Sequence, residues 1–146
     1  MTLSADRQRR LIWHGMFLFL LGLFVGFAEA QVANPRMGLA AHLEGLMNGI
    51  FLIALGAVWP FVGLSPSVTA VAYWTVLYGA YANVIITTFA AIVGASSLSP
   101  ITGAGHNAMP WQETLVTAGF GTVGIAMVVS SILILWGLRR NVLAGS

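Results

Sequence analysis

The chain contains no cysteine, and only 7% of its 146 residues are charged. Without cysteine, disulfides, thiolate ligands to haem, iron–sulfur clusters and cysteine nucleophiles are excluded. Soluble domains carry about 25% charged residues, whereas the stretch from Gly45 to Gln112 has none. The apolar runs also lack a Ser-His-Asp set, a nucleotide-binding glycine loop and a pair of acids. Hydrolysis, ATP use and a carboxylate proton relay are therefore unsupported.

Apolar residues are abundant, at 58% of the chain, and the mean hydropathy is +0.89. This composition is typical of an integral membrane protein. The pI of 9.7 depends on six arginines, five of which lie near the two ends. Arginine at the ends of an apolar chain indicates membrane topology rather than binding to nucleic acid.

Four apolar runs are each long enough to cross the hydrocarbon core, which takes about 20 residues of helix. We therefore predict an all-α integral membrane four-helix bundle that forms a single domain over residues 1–146. A short connection is expected over 31–41, and Ser67 or Thr69 is the expected N-cap of the third helix. The predicted spans are about 11–30, 41–62, 69–94 and 111–138.

The arginine clusters at both ends predict that both termini are cytoplasmic, which requires an even number of spans. An alternative for the first run is a secretory signal peptide, because three arginines precede it and it ends in Ala28-Glu29-Ala30. The run is longer than a usual signal core, so we expect a retained helix.

The stretch His42-Leu43-Glu44-Gly45-Leu46-Met47-Asn48-Gly49 opens the second span and carries its polar groups. His42 can ligate a metal, and Glu44 or a backbone carbonyl can orient its other ring nitrogen. At 100° per residue, Gly45 and Gly49 share a face with His42 and would leave room for a flat, bulky ligand. One histidine suffices for a haem but not for structural zinc. The alternatives are an interfacial histidine without a ligand and glycines that serve close helix packing.

Polar residues of different helices can be compared by their depth in the membrane, which is counted along each predicted span. Asn48 and Asn83 come to similar levels, with Tyr81 near them and Tyr78 about one turn deeper. Such side chains usually face a bundle interior, where they hold a polar substrate group or simply join helices by hydrogen bonds. His14 is about 20 Å from His42 along the membrane normal, so the two cannot both ligate one haem within a subunit. We expect His14 to cap a helix, to snorkel to the interface or to form a hydrogen bond between helices.

The sequence resembles the bacterial hydroxylaminobenzene mutases. The likeness runs through Arg9-Arg10-Leu11-Ile12-Trp13-His14-Gly15-Met16, the His42–Gly49 stretch and Tyr78-Gly79-Ala80-Tyr81-Ala82-Asn83, and so covers most of the chain. Those enzymes are small integral membrane proteins that convert hydroxylaminobenzene into 2-aminophenol in nitroarene degradation. The resemblance implies a bacterial inner-membrane enzyme that takes a small aromatic hydroxylamine and is in contact with lipid.

A more distant likeness is to styrene oxide isomerase, which is a four-helical trimer with haem b. His42 and Asn48 keep the spacing of its iron ligand and pocket asparagine, and Asn83 matches its asparagine in the third helix. The chain departs from that pattern at Gly79, where the isomerase has aspartate, and at Thr87, where it has its active-site tyrosine. The likeness implies haem b on His42 and a homotrimer, and the departures indicate a different substrate.

The two resemblances together imply an isomerase in which haem iron on His42 acts as a Lewis acid on the N–O group. Asn48, Asn83, Tyr81 and Tyr78 are the candidate catalytic residues, and His42, Gly45, Gly49 and Glu44 the candidate cofactor-binding residues. The alternatives are a membrane haem protein for epoxide isomerisation or electron transfer, a small transporter, and a scaffold membrane protein. None of these alternatives involves nucleic acid.

Overall fold

A computed structural model of the chain describes the backbone of residues 3–144 and the side chains of residues 5–139. Within this range the fold is all-α, as predicted, and contains no strand. All four long helices are long and apolar enough to cross a membrane. They are α1 (Leu3–Ala28), α2 (Pro35–Val58), α3 (Pro66–Val93) and α4 (Pro110–Ala144), with short 3-10 turns at Glu29–Gln31 and Trp59–Phe61.

The outer helices extend past the apolar runs that predicted them. α1 begins at Leu3 instead of near Leu11, and its polar first turns include an ion pair of 2.9 Å between Asp6 and Arg10. Oppositely charged residues four apart favour a helix even where the sequence is not apolar. α4 likewise continues to Ala144, past the predicted stop at Arg139-Arg140, and the side chain of Arg140 lies outside the described residues.

Two helices begin at a proline, earlier than the sequence predicts. α2 begins at Pro35, so the predicted connection over 31–41 is wrong. Asn34 caps this helix, because its Oδ1 accepts a hydrogen bond from the Met37 N–H at 3.2 Å. α3 begins at Pro66 after Ser65, so neither Ser67 nor Thr69 is its N-cap. Proline suits the first helical position because its missing N–H would have no partner there.

α1 and α2 approach closely along a seam of glycines. A Cβ added at Gly22 would lie 2.8 Å from the backbone nitrogen of Leu46, and one at Gly49 would lie 2.7 Å from that of Phe19. Small residues at such spacing let two backbones touch where lipid supplies no hydrophobic force between helices. The seam fixes which residues of α2 face α1.

The remaining helices complete the bundle in chain order. α2 packs on α3, and α3 packs on α4. One apolar core lies between α1, α2 and α3 around the buried side chains of Leu18, Leu52 and Val76, and a smaller one forms near Met37 and Ala91 at the other end. These cores leave both flanks of the bundle, α1 and α4, with broad exposed apolar surfaces.

The segment over 95–109 is held against the end of the bundle that carries the second core. Glu113 at the start of α4 accepts hydrogen bonds from the N–H groups of Ser96 at 2.9 Å and Ser97 at 3.0 Å. Asn34 is fully buried and donates through Nδ2 to the carbonyl of Thr102 at 2.8 Å. The loop is therefore attached to both α2 and α4.

Candidate active site

His42 lies half-buried in the seam between α1 and α2. Its Nδ1–H donates to the carbonyl of Gly22 at 2.8 Å, so a backbone carbonyl, not Glu44, orients the ring. A Cβ at Gly26 would lie 2.6 Å from the same ring nitrogen, so the imidazole packs directly on the α1 backbone. This hydrogen bond fixes the tautomer of a neutral imidazole and leaves Nε2 with a free lone pair, as a metal ligand requires.

Gly45 and Gly49 do not provide the open face that the sequence analysis expected. Both are buried, and a Cβ at Gly45 would meet the backbone of Gly22. A Cβ at Gly49 would lie 2.8 Å from the carbonyl oxygen of Gly15. The space beside these glycines is filled by α1, because the seam needs them for close packing. The expectation that they make room for a macrocycle is therefore wrong for this chain.

Glu44, Asn48 and Asn83 form a polar cluster between α2 and α3. Asn48 is buried, and its Nδ2 donates to the Glu44 backbone carbonyl at 2.9 Å and to Glu44 Oε2 at 3.0 Å. Asn83 Nδ2 donates to the same Oε2 at 2.5 Å. The two asparagines, which the depth count puts at one level, thus share one carboxylate oxygen of Glu44 as their hydrogen-bond acceptor.

His42 and this cluster face different neighbours of α2. His42 bonds to α1, whereas Glu44 bonds to Asn83 of α3. Two residues along a helix turn the direction of a side chain by about 200°. The chain therefore presents two separate groups of polar side chains, the His42 imidazole toward α1 and the carboxylate–amide cluster toward α3.

Tyr81 is not part of the cluster. Its hydroxyl shares a hydrogen bond of 2.9 Å with Nδ1 of His14, and the two rings meet edge to face. A hydrogen bond between helices, one of the roles expected for His14, agrees with this contact, but the expected place of Tyr81 beside the asparagines does not. The predicted spans do not indicate this pair, because they start at 11 and 69 and so put His14 near the start of its helix and Tyr81 more than three turns into its own.

Tyr78 also lies away from the cluster, in a groove between α3 and α4. Its hydroxyl is 2.7 Å from Thr122 Oγ1, and 49% of the side chain is exposed. The groove has a volume of about 490 Å³ and an apolar lining that includes Phe89 and Leu115. Tyr78 therefore joins α3 to α4, which is the packing role that the sequence analysis held as the alternative for it.

The comparisons with known proteins give one family model and two relatives, and each is described as an isomerase or a mutase. Residues 7–139 match a family model described as styrene oxide isomerase. The chain is 43% identical over 137 residues to hydroxylaminobenzene mutase HabB of Ectopseudomonas oleovorans, covering 93% of this chain and 84% of that protein. It is 38% identical over 134 residues to hydroxylaminobenzene mutase HabA of the same organism, covering 91% and 99%. No solved structure matches the chain.

Proposed function

The chain belongs to the styrene oxide isomerase family and is an isomerase, and from this premise we propose that it converts hydroxylaminobenzene into 2-aminophenol. The observation that carries the proposal is the cluster of Glu44, Asn48 and Asn83 inside an apolar bundle. Polar groups are costly within a membrane span and usually mark a binding site. Relatives with the name of this activity match nearly the whole chain.

The reaction is intramolecular and involves no net oxidation or reduction. The N–O bond breaks, and a C–O bond forms at the ortho carbon of the ring. That carbon loses its hydrogen as a proton, and nitrogen gains one proton to become the amine. Positive charge develops on the nitrogen and the ring as the N–O bond weakens, so water must be kept away from the ring carbons. An apolar membrane site meets this requirement.

In this proposal the cluster holds the hydroxylamino group while the apolar surroundings exclude water. The two asparagines lie on different helices but share one carboxylate oxygen, so their positions are fixed relative to each other. Fixed polar groups at a reacting centre lower the barrier by orienting the substrate before reaction. Asn48 and Asn83 are therefore the proposed binding residues of the reacting group.

Haem b on His42 is the proposed cofactor. The fit rests on the His42 ring, whose Nδ1–H is committed to Gly22 and whose Nε2 is free to ligate. Among the described residues, no group of three or more His, Cys, Asp or Glu is placed to hold a metal ion, so a ligand that needs one protein donor suits the site better than a bare ion. When bound, haem iron would supply a Lewis acid for the N–O group.

A homotrimer in the bacterial inner membrane is the proposed assembly. The separation of His42 from the amide cluster within one chain supports a site that is completed by a neighbouring copy. The broad apolar surfaces of α1 and α4 allow contact with both lipid and another subunit. Arginine clusters at the two ends favour a cytoplasmic location for both termini.

The activity is tested by incubating the purified protein in detergent with hydroxylaminobenzene and measuring 2-aminophenol by chromatography. The wild-type protein should form 2-aminophenol, and Asn48→Leu should reduce kcat/KM at least tenfold. Thr75→Val is the matched control, because among the side chains of residues 5–139 the Thr75 hydroxyl bonds only to carbonyls of its own helix. Absence of product from the folded wild-type protein would refute the proposed reaction.

The cofactor is tested by the visible absorbance of protein that was expressed with haem available. A strong Soret band that disappears in His42→Ala, together with the activity, is the expected result. A colourless but active preparation would remove iron from the proposal and leave acid catalysis by the chain's own groups. A Soret band retained in His42→Ala would place the haem on another ligand.

A further inference from the structure

The hydrogen bonds of the cluster use the N–H groups of its two asparagines but not their carbonyl oxygens. A carboxamide has two N–H donors and one carbonyl acceptor with two lone pairs. Both N–H groups of Asn48 are committed to Glu44, one to its backbone carbonyl and one to Oε2. At least one N–H of Asn83 is committed to the same Oε2. Within the described residues, no hydrogen bond uses the Oδ1 atom of either asparagine.

Oε2 of Glu44 accepts a hydrogen bond from each amide, and the Glu44 backbone carbonyl accepts a second one from Asn48, so Glu44 determines how both amides are turned. Each amide must point its nitrogen at the carboxylate, and its carbonyl oxygen must then point elsewhere. The reverse orientation would set a carbonyl oxygen against a carboxylate oxygen in an apolar setting, which is strongly unfavourable. Glu44 thus makes the cluster a surface of hydrogen-bond acceptors.

We propose that Glu44 is a positioning residue that selects substrates with N–H and O–H groups by locking Asn48 and Asn83 with their carbonyl oxygens free. This inference rests on the proposed function and identifies what the site recognises. An aryl hydroxylamine carries both an N–H and an O–H donor on the reacting group. An epoxide carries only an acceptor oxygen, so it would meet acceptors without a partner.

A cluster of acceptors should favour an aryl hydroxylamine over an epoxide. A site built to hydrogen-bond an OH or NH group discriminates strongly against an analogue that lacks it, because the buried polar groups of the site are left unpaired. The carboxylate of Glu44 touches no substrate atom in this scheme. It acts through the two amides, and its removal should therefore change selectivity as well as rate.

The test compares two inhibitors with the same ring, aniline and nitrobenzene, as competitors of 2-aminophenol formation. Aniline presents N–H donors, and nitrobenzene presents only acceptors. The ratio of the Ki of nitrobenzene to that of aniline should fall about tenfold in Glu44→Leu. Glu44→Gln should keep the wild-type ratio within about twofold, because a carboxamide oxygen at the place of Oε2 still accepts from both asparagines. Thr75→Val should leave the ratio unchanged.

Asn48→Leu gives an independent variant if Glu44→Leu does not fold, since it removes the free carbonyl directly and should lower the same ratio. An unchanged ratio in either folded variant would overturn the inference. Equal loss in Glu44→Gln and Glu44→Leu would also overturn it, because the charge rather than the orientation would then matter. An active wild-type protein with unchanged ratios refutes only this inference, whereas absence of 2-aminophenol refutes the proposed function as well.

Discussion

The seam between α1 and α2 can be tested by Gly22→Ala, which adds a single methyl group. Its carbon would lie 2.8 Å from the nitrogen of Leu46 and 2.9 Å from the Cα of Gly45. Carbon atoms in contact prefer about 3.5 to 4.0 Å. Both obstructing atoms belong to the backbone, so no rotamer change can relieve the overlap. The two helices must therefore separate by several tenths of an ångström.

The magnitude follows from two opposing effects. Overpacking of a tightly packed site costs about 1–3 kcal/mol. Within a helix, alanine is more favourable than glycine by about 1 kcal/mol. Gly22→Ala should therefore lower the free energy of unfolding by up to about 2 kcal/mol, which is the packing cost less the gain in helix propensity. Gly121→Ala is the matched control, because a Cβ at Gly121 meets no atom of the described part of the chain within 4 Å, and it should be neutral or slightly stabilising.

The assay is unfolding by sodium dodecyl sulfate in mixed micelles, followed by circular dichroism, together with turnover of hydroxylaminobenzene. Gly22→Ala should also impair activity, because the carbonyl of Gly22 orients His42. Equal stability of Gly22→Ala and Gly121→Ala would refute the close approach of the helices. Loss of stability with full activity would show that the bond to His42 does not matter for the reaction.

Three further predictions concern contacts outside the proposed cluster. Glu113→Ala removes the acceptor that holds the segment over 95–109, so limited proteolysis there should become faster, and unchanged cleavage would contradict the role of Glu113. Tyr81→Phe should lower stability by about 1 kcal/mol through loss of the bond to His14 but keep kcat/KM within about threefold. Tyr78→Phe should keep kcat/KM within about twofold, and a loss above tenfold would bring the groove between α3 and α4 into the active site.

The hydropathy pattern predicts the helices correctly but not where they end. The apolar runs located all four helices, because the need to satisfy backbone hydrogen bonds in lipid leaves few other structures. The sequence predicts the starts of α2 and α3 near residues 41 and 69, later than the observed starts at Pro35 and Pro66. Hydropathy marks the membrane core, whereas the helices continue beyond it. The relevant signals, a capping asparagine and a proline at the first helical position, were present in the sequence.

The candidate site residues also divide into those whose neighbours the sequence predicts and those whose neighbours it does not. A depth count along the spans predicts that Asn48 and Asn83 share a level, but it does not include Glu44, which joins the two asparagines in the structure. The partners of the tyrosines were not predicted, because depth gives no direction around the helix axis. Tyr81 turned toward α1 and Tyr78 toward α4, although both lie within a turn or two of Asn83.

The sequence by itself determined the membrane class, the number of helices and the family, because composition, run length and motif spacing are properties of the chain alone. Only the tertiary structure decided that Gly45 and Gly49 serve the seam with α1, that Gly22 orients His42, and that one oxygen of Glu44 holds two asparagines. These features depend on which faces of neighbouring helices meet. That choice is made by packing between residues far apart in the chain, and no local pattern records it.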